Sequence, residues 1–384
     1  MPGFELIGPE EFEELRDLFE RSRILFRHGF DNLRNGVYKV RDFEQAFAQR
    51  MGVRHALAVS SGTAALRVAL AALGIGPGDE VITQAFTFVA TVEAIIEAGA
   101  RPVIAEIDQT LNLDPDDLEN KLSPRAKAII VVHMLGTPAR LAEILPLAQR
   151  HGLAVIEDTA WGCGGYLNGK PLGSLGQIGT FSFDFAKTMT TGEGGMVVTQ
   201  DQALYQRAAA YHDHGHENNP NLPRWEDSRS GSGFNYRMSE LQGAVGLAQL
   251  KKLDQVVAAQ RRNRQALWQA IADLPGLAPR AVPEGSQETA DALVFFVADK
   301  RTARRAREAL LKEGLGTKIL PEAITWHFAG TWEHMPVLKE VHGDLSKAFP
   351  KSRALLERAV ALPVVVKMDP GLPEKVRKAL QAAL

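Results

Sequence analysis

The feature that most constrains this chain is an alternation of short apolar runs with amphipathic stretches between residues 53 and 200. Parallel strands need a crossover connection, usually a helix, whereas antiparallel strands need only a short turn. The alternation therefore predicts an α/β protein with a mostly parallel sheet and helices on both faces. The predicted strands are 53–59, 80–82, 102–107, 128–132 and 153–157, and the predicted helices between them are 63–73, 89–98 and 141–150.

The pattern changes after residue 178. Strand-like runs at 179–185 and 195–199 flank a Gly/Thr-rich turn, with no helix between them. The segment 212–235 is rich in His, Asn, Pro and Gly, and is predicted to be either a functional loop or a disordered one. A long helix is predicted at 239–259.

The alternation ends before the last third of the chain, where a smaller unit is predicted. It contains a strand at 292–297 and a helix at 302–313 that Gly314 ends. We therefore predict a large domain over residues 1–260 and a small C-terminal α+β domain over 261–384.

The composition of the chain argues against some classes of binding partner and indicates a cellular compartment. The formal net charge of the 384 residues is -2, so no basic field points to nucleic acid or to a membrane surface. The most apolar run, 128–132, is too short to span a bilayer, and the N-terminus lacks the pattern of a signal peptide. Cys163 is the single cysteine, which excludes an intrachain disulfide. A cytoplasmic protein is expected.

A short polar turn, Ser60-Ser61-Gly62-Thr63-Ala64, follows the first predicted strand and opens the first predicted helix. Free backbone N–H groups at a helix N-terminus, with a hydroxyl beside them, form an anion site that suits a phosphate. The alternative is a Ser/Thr helix cap that binds no ligand.

Asp158 directly follows the buried strand 153–157. A carboxylate at the end of a buried strand is costly unless a partner pairs with it. A protonated pyridine nitrogen is such a partner, and the pair would keep the ring able to accept electrons. The alternative is that Asp158 caps the next turn.

Lys187 lies between an aromatic strand and a glycine-rich turn at 191–195. An amine nucleophile must be partly removed from water so that its neutral form is accessible, and the aromatic flank could provide this. A solvated lysine in a turn is the alternative. A phosphate cradle, a carboxylate and an amine at successive strand ends are together the parts of a pyridoxal 5′-phosphate (PLP) site.

With these segments in this order, the sequence resembles the DegT/DnrJ/EryC1/StrS family of PLP-dependent sugar aminotransferases. The resemblance extends over nearly the whole chain, from Val40 to Val364. It implies the aspartate aminotransferase-like fold (fold type I) and an obligate homodimer with shared active sites. The most specific stretches are Ser61-Gly62-Thr63-Ala64-Ala65-Leu66, Gly78-Asp79-Glu80-Val81-Ile82, Thr87-Phe88-Val89-Ala90-Thr91, Glu157-Asp158, Lys187 with the 191–195 turn, and Phe234-Asn235-Tyr236-Arg237-Met238.

The resemblance also implies roles for residues of this chain. Lys187 would form the internal aldimine with PLP and shuttle a proton, and Asp158 would face the pyridine nitrogen. Phe88 would stack on the cofactor ring, and Asn235 would reach the phosphate of the neighbouring subunit. The residues expected to bind the phosphate within one chain are Gly62, Thr63, Ala64 and Ser182.

Trp161 departs from the family pattern, which usually has Gln or His three residues after the aspartate, near the phenolic oxygen of the cofactor. An indole N–H can donate a hydrogen bond to that oxygen but cannot accept one, and the ring is much bulkier. Trp161 is therefore predicted to contact the cofactor, with an altered hydrogen bond and altered space for substrate.

The histidines suggest substrate contacts more than a metal site. His212, His214 and His216 have no cysteine nearby and no recognisable ligand spacing, so no metal is predicted. We interpret their segment as a substrate-binding or interface loop and predict His214 as a substrate contact. His327, in a region that lies near the substrate in the family, is predicted as another.

The implied reaction moves an amino group from L-glutamate to a keto or aldehyde sugar. Segments 1–6, 212–216 and 326–334 resemble the branch that makes 8-amino-3,8-dideoxy-manno-octulosonate from an oxidised Kdo-type sugar. Nucleotide-linked keto sugars, which most of the family aminates, are the alternative.

Two classes other than an aminotransferase stay open. A nicotinamide-dependent enzyme is disfavoured because the run 74–78 follows a predicted helix and precedes a strand, the wrong order for a dinucleotide fingerprint. A PLP-fold regulator would usually carry a basic DNA-binding module, and none is visible. Lys187 also argues against a sibling branch that has His at this position and dehydrates sugars.

Overall fold

The computed structural model describes residues 2–219 and 221–384; Met1 of the opening segment lies outside them. The strands are β1 (His55–Val59), β2 (Glu80–Gln84), β3 (Arg101–Ala105), β4 (Ala126–Val132), β5 (Ala154–Asp158), β6 (Tyr166–Leu167), β7 (Lys170–Pro171), β8 (Ile178–Ser182), β9 (Gly195–Thr199), β10 (Ala278–Pro279), β11 (Ser286–Gln287), β12 (Ala292–Phe296) and β13 (Ala359–Pro363). The helices are α1 (Pro9–Asp17), α2 (Lys39–Met51), α3 (Gly62–Ala72), α4 (Val89–Glu97), α5 (Pro115–Asn120), α6 (Leu141–Arg150), α7 (Gln202–Tyr211), α8 (Glu240–Ile271), α9 (Lys300–Lys312), α10 (Pro336–His342), α11 (Pro350–Glu357) and α12 (Leu372–Gln381).

A large mixed sheet forms the centre of the molecule, with the strand order β1-β9-β8-β5-β4-β2-β3. Strands β3, β2, β4, β5 and β8 run parallel to one another, and β9 runs antiparallel to both β8 and β1. The predicted mostly parallel sheet is therefore confirmed. The antiparallel β9 follows β8 without a helix because a reversal needs no crossover connection.

Both faces of this sheet are buried, as the alternation of side chains in β1 shows. Leu57 and Val59 pack with helices α3, α4 and α7, whereas Ala56 and Ala58 point to the opposite face, toward α2 and α8. Successive side chains of a strand point to opposite faces, so a strand covered on both sides must be apolar throughout. This is why the predicted strands appear as uninterrupted apolar runs.

Helix α8 differs from its prediction, because it continues to Ile271 rather than ending at residue 259. Its start agrees with a capping box, in which Ser239 Oγ accepts from Gln242 N–H and Gln242 Oε1 accepts from Ser239 N–H. The first half packs on the large sheet, and the second half, including Leu267, packs on the C-terminal strands. The division of the chain at 260/261 falls inside this helix and stays a prediction.

The C-terminal part contains an antiparallel sheet in which β12 lies between β10 and β13. Helices α9 and α12 and the end of α8 pack on it, so the predicted α+β character of this region is confirmed. No helix in the described ranges has both the length and the apolar character needed to cross a membrane.

The fully buried carboxylate of Glu157 joins three strand ends of the large sheet. It accepts hydrogen bonds from the backbone N–H groups of Gly173, Leu175 and Gly176, at 2.6–2.8 Å, in the segment that leads into β8. It also accepts one from His133, directly after β4, at 3.0 Å. The Nδ1 atom of His133 accepts from Ala139 N–H, so Nε2 carries the proton donated to Glu157.

Replacing Glu157 with glutamine should destabilise the protein strongly, although the two side chains have nearly the same size. The amide NH₂ would face N–H donors, and the unsatisfied buried donors would cost about 2–4 kcal/mol in the free energy of unfolding. Urea unfolding of E157Q and of the surface control E143Q would measure this. We expect the control to stay within about 0.5 kcal/mol of wild type, and an equal effect of both changes would contradict the role given to Glu157.

Candidate active site

A cavity of about 350 Å³ lies at the carboxyl ends of the parallel strands and brings together the three features predicted from the sequence. Ligands of open α/β sheets bind at this edge, because helix N-termini and connecting loops converge there. Predicted site residues that line the cavity are Gly62, Thr63, Phe88, Asp158, Trp161, Ser182, Lys187 and His327.

The N-terminus of α3 forms one end of the cavity. Ser61 is its N-cap, and its Oγ accepts a hydrogen bond from the N–H of Ala64 at 3.0 Å. This position of the helix leaves the N–H groups of Gly62 and Thr63 without intrahelical partners. The N–H of Ala64 is already used by the cap and Ala64 is buried outside the lining. The predicted Ser61 cap is therefore present, and binding of an anion by the N–H groups of Gly62 and Thr63 stays a prediction.

Ser182, the last residue of β8, lies directly against this helix N-terminus. A Cβ built on Gly62 would lie 2.7 Å from the Cβ of Ser182, closer than two such atoms can approach. Glycine at position 62 therefore allows Ser182 to pack directly against the start of α3. The two segments together form a cradle with backbone and hydroxyl donors, which suits a phosphate.

Asp158 ends β5 and is 6% exposed. Its carboxylate accepts hydrogen bonds from Thr91 Oγ1 at 2.9 Å and from the N–H of Ala160 at 3.2 Å. Burial raises the pKa of Asp158, and these two hydrogen bonds oppose the rise. The charged form of this side chain would therefore gain stability from a cation placed in the cavity.

Thr91 was not predicted as a site residue, although its motif was singled out. It lies in the first turn of α4, where its hydroxyl contacts both Asp158 and, at 2.8 Å, the hydroxyl of Thr87. Thr87 lies two residues before α4, and its hydroxyl contacts Thr91 across the start of the helix. The Thr-x-x-x-Thr spacing is the signal that the sequence offered.

Lys187 is half-buried and reaches the cavity from the loop between β8 and β9. The loop is set by a turn in which Lys187 N–H donates to the carbonyl of Asp184 at 3.0 Å and Asp184 Oδ1 accepts from Ala186 N–H. Loss of hydration lowers the pKa of Lys187 to about 8, although the carboxylates of Asp291 and Asp158 favour its charged form. The neutral amine is therefore accessible near physiological pH.

Trp161 forms the wall of the cavity next to Lys187. The Nζ atom of Lys187 lies 3.5 Å from the centroid of the indole ring. The carbonyl of Trp161 accepts a hydrogen bond from Thr289 Oγ1 at 3.2 Å, which ties the wall to the C-terminal part of the chain. The bulk that sets this chain apart from the family pattern thus occupies space beside the predicted catalytic amine.

Lys318 and Asp291 lie close to Trp161 and were not identified from the sequence. Lys318 Nζ is 2.5 Å from Asp291 Oδ2 and 4.9 Å from the centroid of the Trp161 ring. The other carboxylate oxygen, Asp291 Oδ1, is buried without a hydrogen-bond partner in the described ranges. These residues are more than a hundred positions from Trp161 in sequence, so no local pattern could reveal them.

His327 closes the cavity from the C-terminal part of the chain, beside Phe88. The two rings lie 5.5 Å apart between centroids, and the carbonyl of His327 accepts from the N–H of Thr87. Its Nδ1 donates to the carbonyl of Ala323 at 3.0 Å, so Nε2 keeps a free lone pair. Burial lowers the pKa of His327 to about 4, which keeps the ring neutral.

Asn235 and His214 do not line this cavity; both are exposed. They lie in adjacent segments, since Asp213 and Asn235 form an isolated β-bridge and His214 N–H donates to the carbonyl of Phe234. The segment 212–235 is therefore structured at both ends by pairing to itself. The role of Asn235 in a neighbouring subunit and that of His214 toward substrate stay predictions.

The neighbouring histidines have separate partners. His212 is buried and hydrogen-bonds to the carbonyl of Ala209, whereas His216 Nδ1 lies 3.1 Å from Asp227 Oδ2. Within residues 2–219 and 221–384, no group of three or more His, Cys, Asp or Glu side chains has the arrangement of a metal site.

The solved structures that this fold resembles are aminotransferases. The aminotransferase from Psychrobacter cryohalolentis matches with a TM-score of 0.86 and 28% identity, over 98% of this chain and 96% of that one. The 3-amino-5-hydroxybenzoic acid synthase matches with a TM-score of 0.85 and 28% identity, over 98% and 96%. The predicted aspartate aminotransferase-like fold is confirmed.

Sequence similarity also shows to which family of this fold the chain belongs. The model of the DegT/DnrJ/EryC1/StrS aminotransferase family matches residues 28–381, and the chain belongs to this family. The spore coat polysaccharide biosynthesis protein SpsC of Bacillus subtilis (strain 168) is 35% identical over 377 residues, covering 95% of this chain and 92% of that protein. The GDP-perosamine synthase of Caulobacter vibrioides is 46% identical over 222 residues, 58% of each chain.

The lowered pKa of Lys187 predicts a distinctive reactivity in cofactor-free protein. Only the neutral amine reacts with acetic anhydride, and its fraction increases as the pH rises, so the modification rate should reach half its maximum at pH about 8. Ordinary exposed lysines reach this point near pH ~10.4. Peptide mass spectrometry would measure the acetylation rate of Lys187 at each pH, with peptides that contain exposed lysines as internal controls.

A matched variant tests the cause of this behaviour. Asp291→Asn removes a carboxylate that favours the ammonium form, so the midpoint for Lys187 should move to lower pH. A Lys187 that titrates with the exposed lysines would contradict the assignment.

Proposed function

We propose that this protein is a PLP-dependent aminotransferase that moves an amino group from L-glutamate to a keto or aldehyde sugar. The observation that carries the proposal is the convergence of Lys187, Asp158 and the N-terminus of α3 on one cavity. Family membership supports the reaction class.

The residues of the cavity fit PLP in three respects. The cradle of Gly62, Thr63 and Ser182 supplies uncharged donors for a phosphate at a helix N-terminus. The buried carboxylate of Asp158 needs a cation, and a protonated pyridine nitrogen is one. Phe88, which is 39% exposed, offers a flat apolar face to an aromatic ring. When bound, PLP supplies an electron sink for the charge that develops during the transfer.

Lys187 would hold the cofactor through its Nζ atom and, once released, would move a proton. A pKa of about 8 means that both the neutral and the charged amine are populated near neutral pH, so the group can act as base and then as acid. The proton it removes is that on the α-carbon of the amino donor.

Trp161 would control the space and the electrostatics beside Lys187. Its indole face lies against the Nζ atom and favours the ammonium form through a cation–π contact. Its N–H would donate to the phenolic oxygen of the cofactor, which the usual Gln or His of the family contacts at this position.

The substrate side of the cavity suits a hydroxylated molecule. His327 presents a neutral Nε2 lone pair, which accepts a hydrogen bond from a sugar hydroxyl. Asn235 and His214 would complete the site from a second subunit of a homodimer, since both are exposed in the single chain.

The sugar we propose first is an 8-oxo Kdo-type octulosonate, which would give 8-amino-3,8-dideoxy-manno-octulosonate. The resemblance of the histidine segment 212–216 and of 326–334 to that branch supports it. A nucleotide-linked keto sugar is the second candidate, and the similarity to GDP-perosamine synthases favours it. The chain covers only about 60% of the length of those relatives.

Lys187→Ala is expected to lose the visible absorbance of the holoenzyme and to slow transamination by about 10²–10⁴-fold, because the general acid–base group is removed. Formation of 2-oxoglutarate from L-glutamate measures this, and Lys347→Ala, a change at an exposed lysine, is the control. Full turnover by Lys187→Ala would overturn the proposed role. A yellow wild-type protein that turns over neither class of sugar would instead indicate a PLP-binding regulator.

The substrate is tested with purified wild-type protein, L-glutamate and one sugar at a time. We expect mass spectrometry to detect an amino product from the 8-oxo octulosonate. Turnover of GDP-linked keto sugars alone would reject the octulosonate and establish the second candidate. A His327→Ala variant should then lose affinity for the sugar while keeping the half-reaction with L-glutamate.

A further inference from the structure

A second cleft, of about 500 Å³, lies between α8, the strand β12 and the segment 279–288. None of its lining residues lines the cavity at Lys187. Its charged side chains are three arginines, Arg261, Arg264 and Arg280, and one glutamate, Glu288.

The single carboxylate of the cleft is fully used. Glu288 Oε2 lies 2.5 Å from Arg264 Nη1, and Glu288 Oε1 accepts a hydrogen bond from Thr137 Oγ1. Glu288 is 7% exposed, so both oxygens are committed within the protein. Among the side chains that line the cleft, three guanidinium groups face one carboxylate, which gives the lining a formal charge of +2.

Arg280 is 7% exposed, and such burial is unusual for a charged side chain. It donates from Nε to the carbonyl of Thr110 at 2.6 Å and from Nη2 to the carbonyl of Met134 at 2.9 Å. It forms no ion pair with the described residues. Burial lowers the pKa of Arg280 to about 10, and Arg264 adds to this while the charges of Glu288 and Asp108 oppose it.

Arg261 is held in the same way, by carbonyl oxygens. Its Nε donates to the carbonyl of Glu288 at 2.7 Å and its Nη2 to that of Gln287 at 3.1 Å. Burial lowers the pKa of Arg261, and the positive charge of Arg264 adds to the effect. Within the described ranges, the Nη1 atoms of Arg261 and Arg280 make no hydrogen bond. Donors with full positive charge are thus positioned by neutral groups.

A further polar group of the cleft lacks a partner. The hydroxyl oxygen of Ser286 is buried and makes no hydrogen bond to any described residue. An unsatisfied buried hydroxyl destabilises the protein, and a ligand that hydrogen-bonds to it would remove this cost. Trp268 and Leu293 add apolar surface to the lining beside the charged groups.

We propose that this cleft is a second ligand site, which binds a small-molecule oxyanion, a phosphate or a carboxylate, between Arg261, Arg264, Arg280 and Ser286. The planar fork of donors on a guanidinium group matches a pair of oxygens on such an oxyanion. The formal charge of +2 on the lining side chains favours a dianion over a monoanion. The apolar wall at Trp268 accommodates a carbon skeleton attached to it.

The test uses the holoenzyme, so that the phosphate cradle at α3 is already filled. Isothermal calorimetry at constant ionic strength, set with chloride, would measure binding of inorganic phosphate in one arm and of malonate in the other. Saturable binding of either anion that the cleft variants described below weaken supports the site. The anion that binds more tightly identifies phosphate or carboxylate as the ligand group. No saturable binding of either above chloride would overturn the proposal.

Two variants and one control locate the binding. Arg264→Gln should weaken binding by about tenfold or more, since it removes a charged donor. Ser286→Ala should also weaken binding without reducing the thermal stability of the free protein, because the hydroxyl has no partner to lose; this variant keeps the test valid if Arg264→Gln does not fold. Arg262→Gln, an exposed position on the same helix outside the cleft, should bind like wild type. Equal binding by all variants would place the anion elsewhere and refute the site.

Discussion

The buried carboxylate of Glu157 is the interaction on which the geometry of the cavity depends. Its four hydrogen bonds join the segment after β4, the end of β5 and the approach to β8. Asp158 is the next residue on β5, and Ser182 ends β8. Because adjacent side chains of a strand point to opposite faces, Glu157 fixes the strand ends from one face while Asp158 enters the cavity from the other.

The pKa values of the two titratable groups at the centre of the cavity are shifted in opposite directions by the same cause. Burial lowers the pKa of Lys187 and raises the pKa of Asp158, because loss of hydration disfavours both charged forms. Neither group is relieved by a direct ion pair with the other. Such a site favours a ligand that supplies a cation for the carboxylate and a reaction partner for the amine, and PLP has both.

Local sequence patterns predicted the strands of the large sheet well because these strands are buried on both faces and are therefore apolar throughout. The same reasoning missed β6, β7, β10 and β11, whose two-residue pairings have no periodicity to detect. It also ended α8 too early, since the helix changes from one hydrophobic core to another near its middle. Length and position of that helix depend on packing partners more than on local propensity.

The sequence by itself determined the fold class and the three strand-end motifs, because parallel strands must deliver their carboxyl ends, and the residues that follow them, to one edge of the sheet. Only the tertiary structure decided what surrounds these motifs. Trp161, Lys318 and Asp291 meet beside Lys187, and Arg261, Arg280 and Ser286 meet in the second cleft, from distant positions in the chain. Charge balance and burial are properties of groups close in space, and spacing along the chain does not encode them.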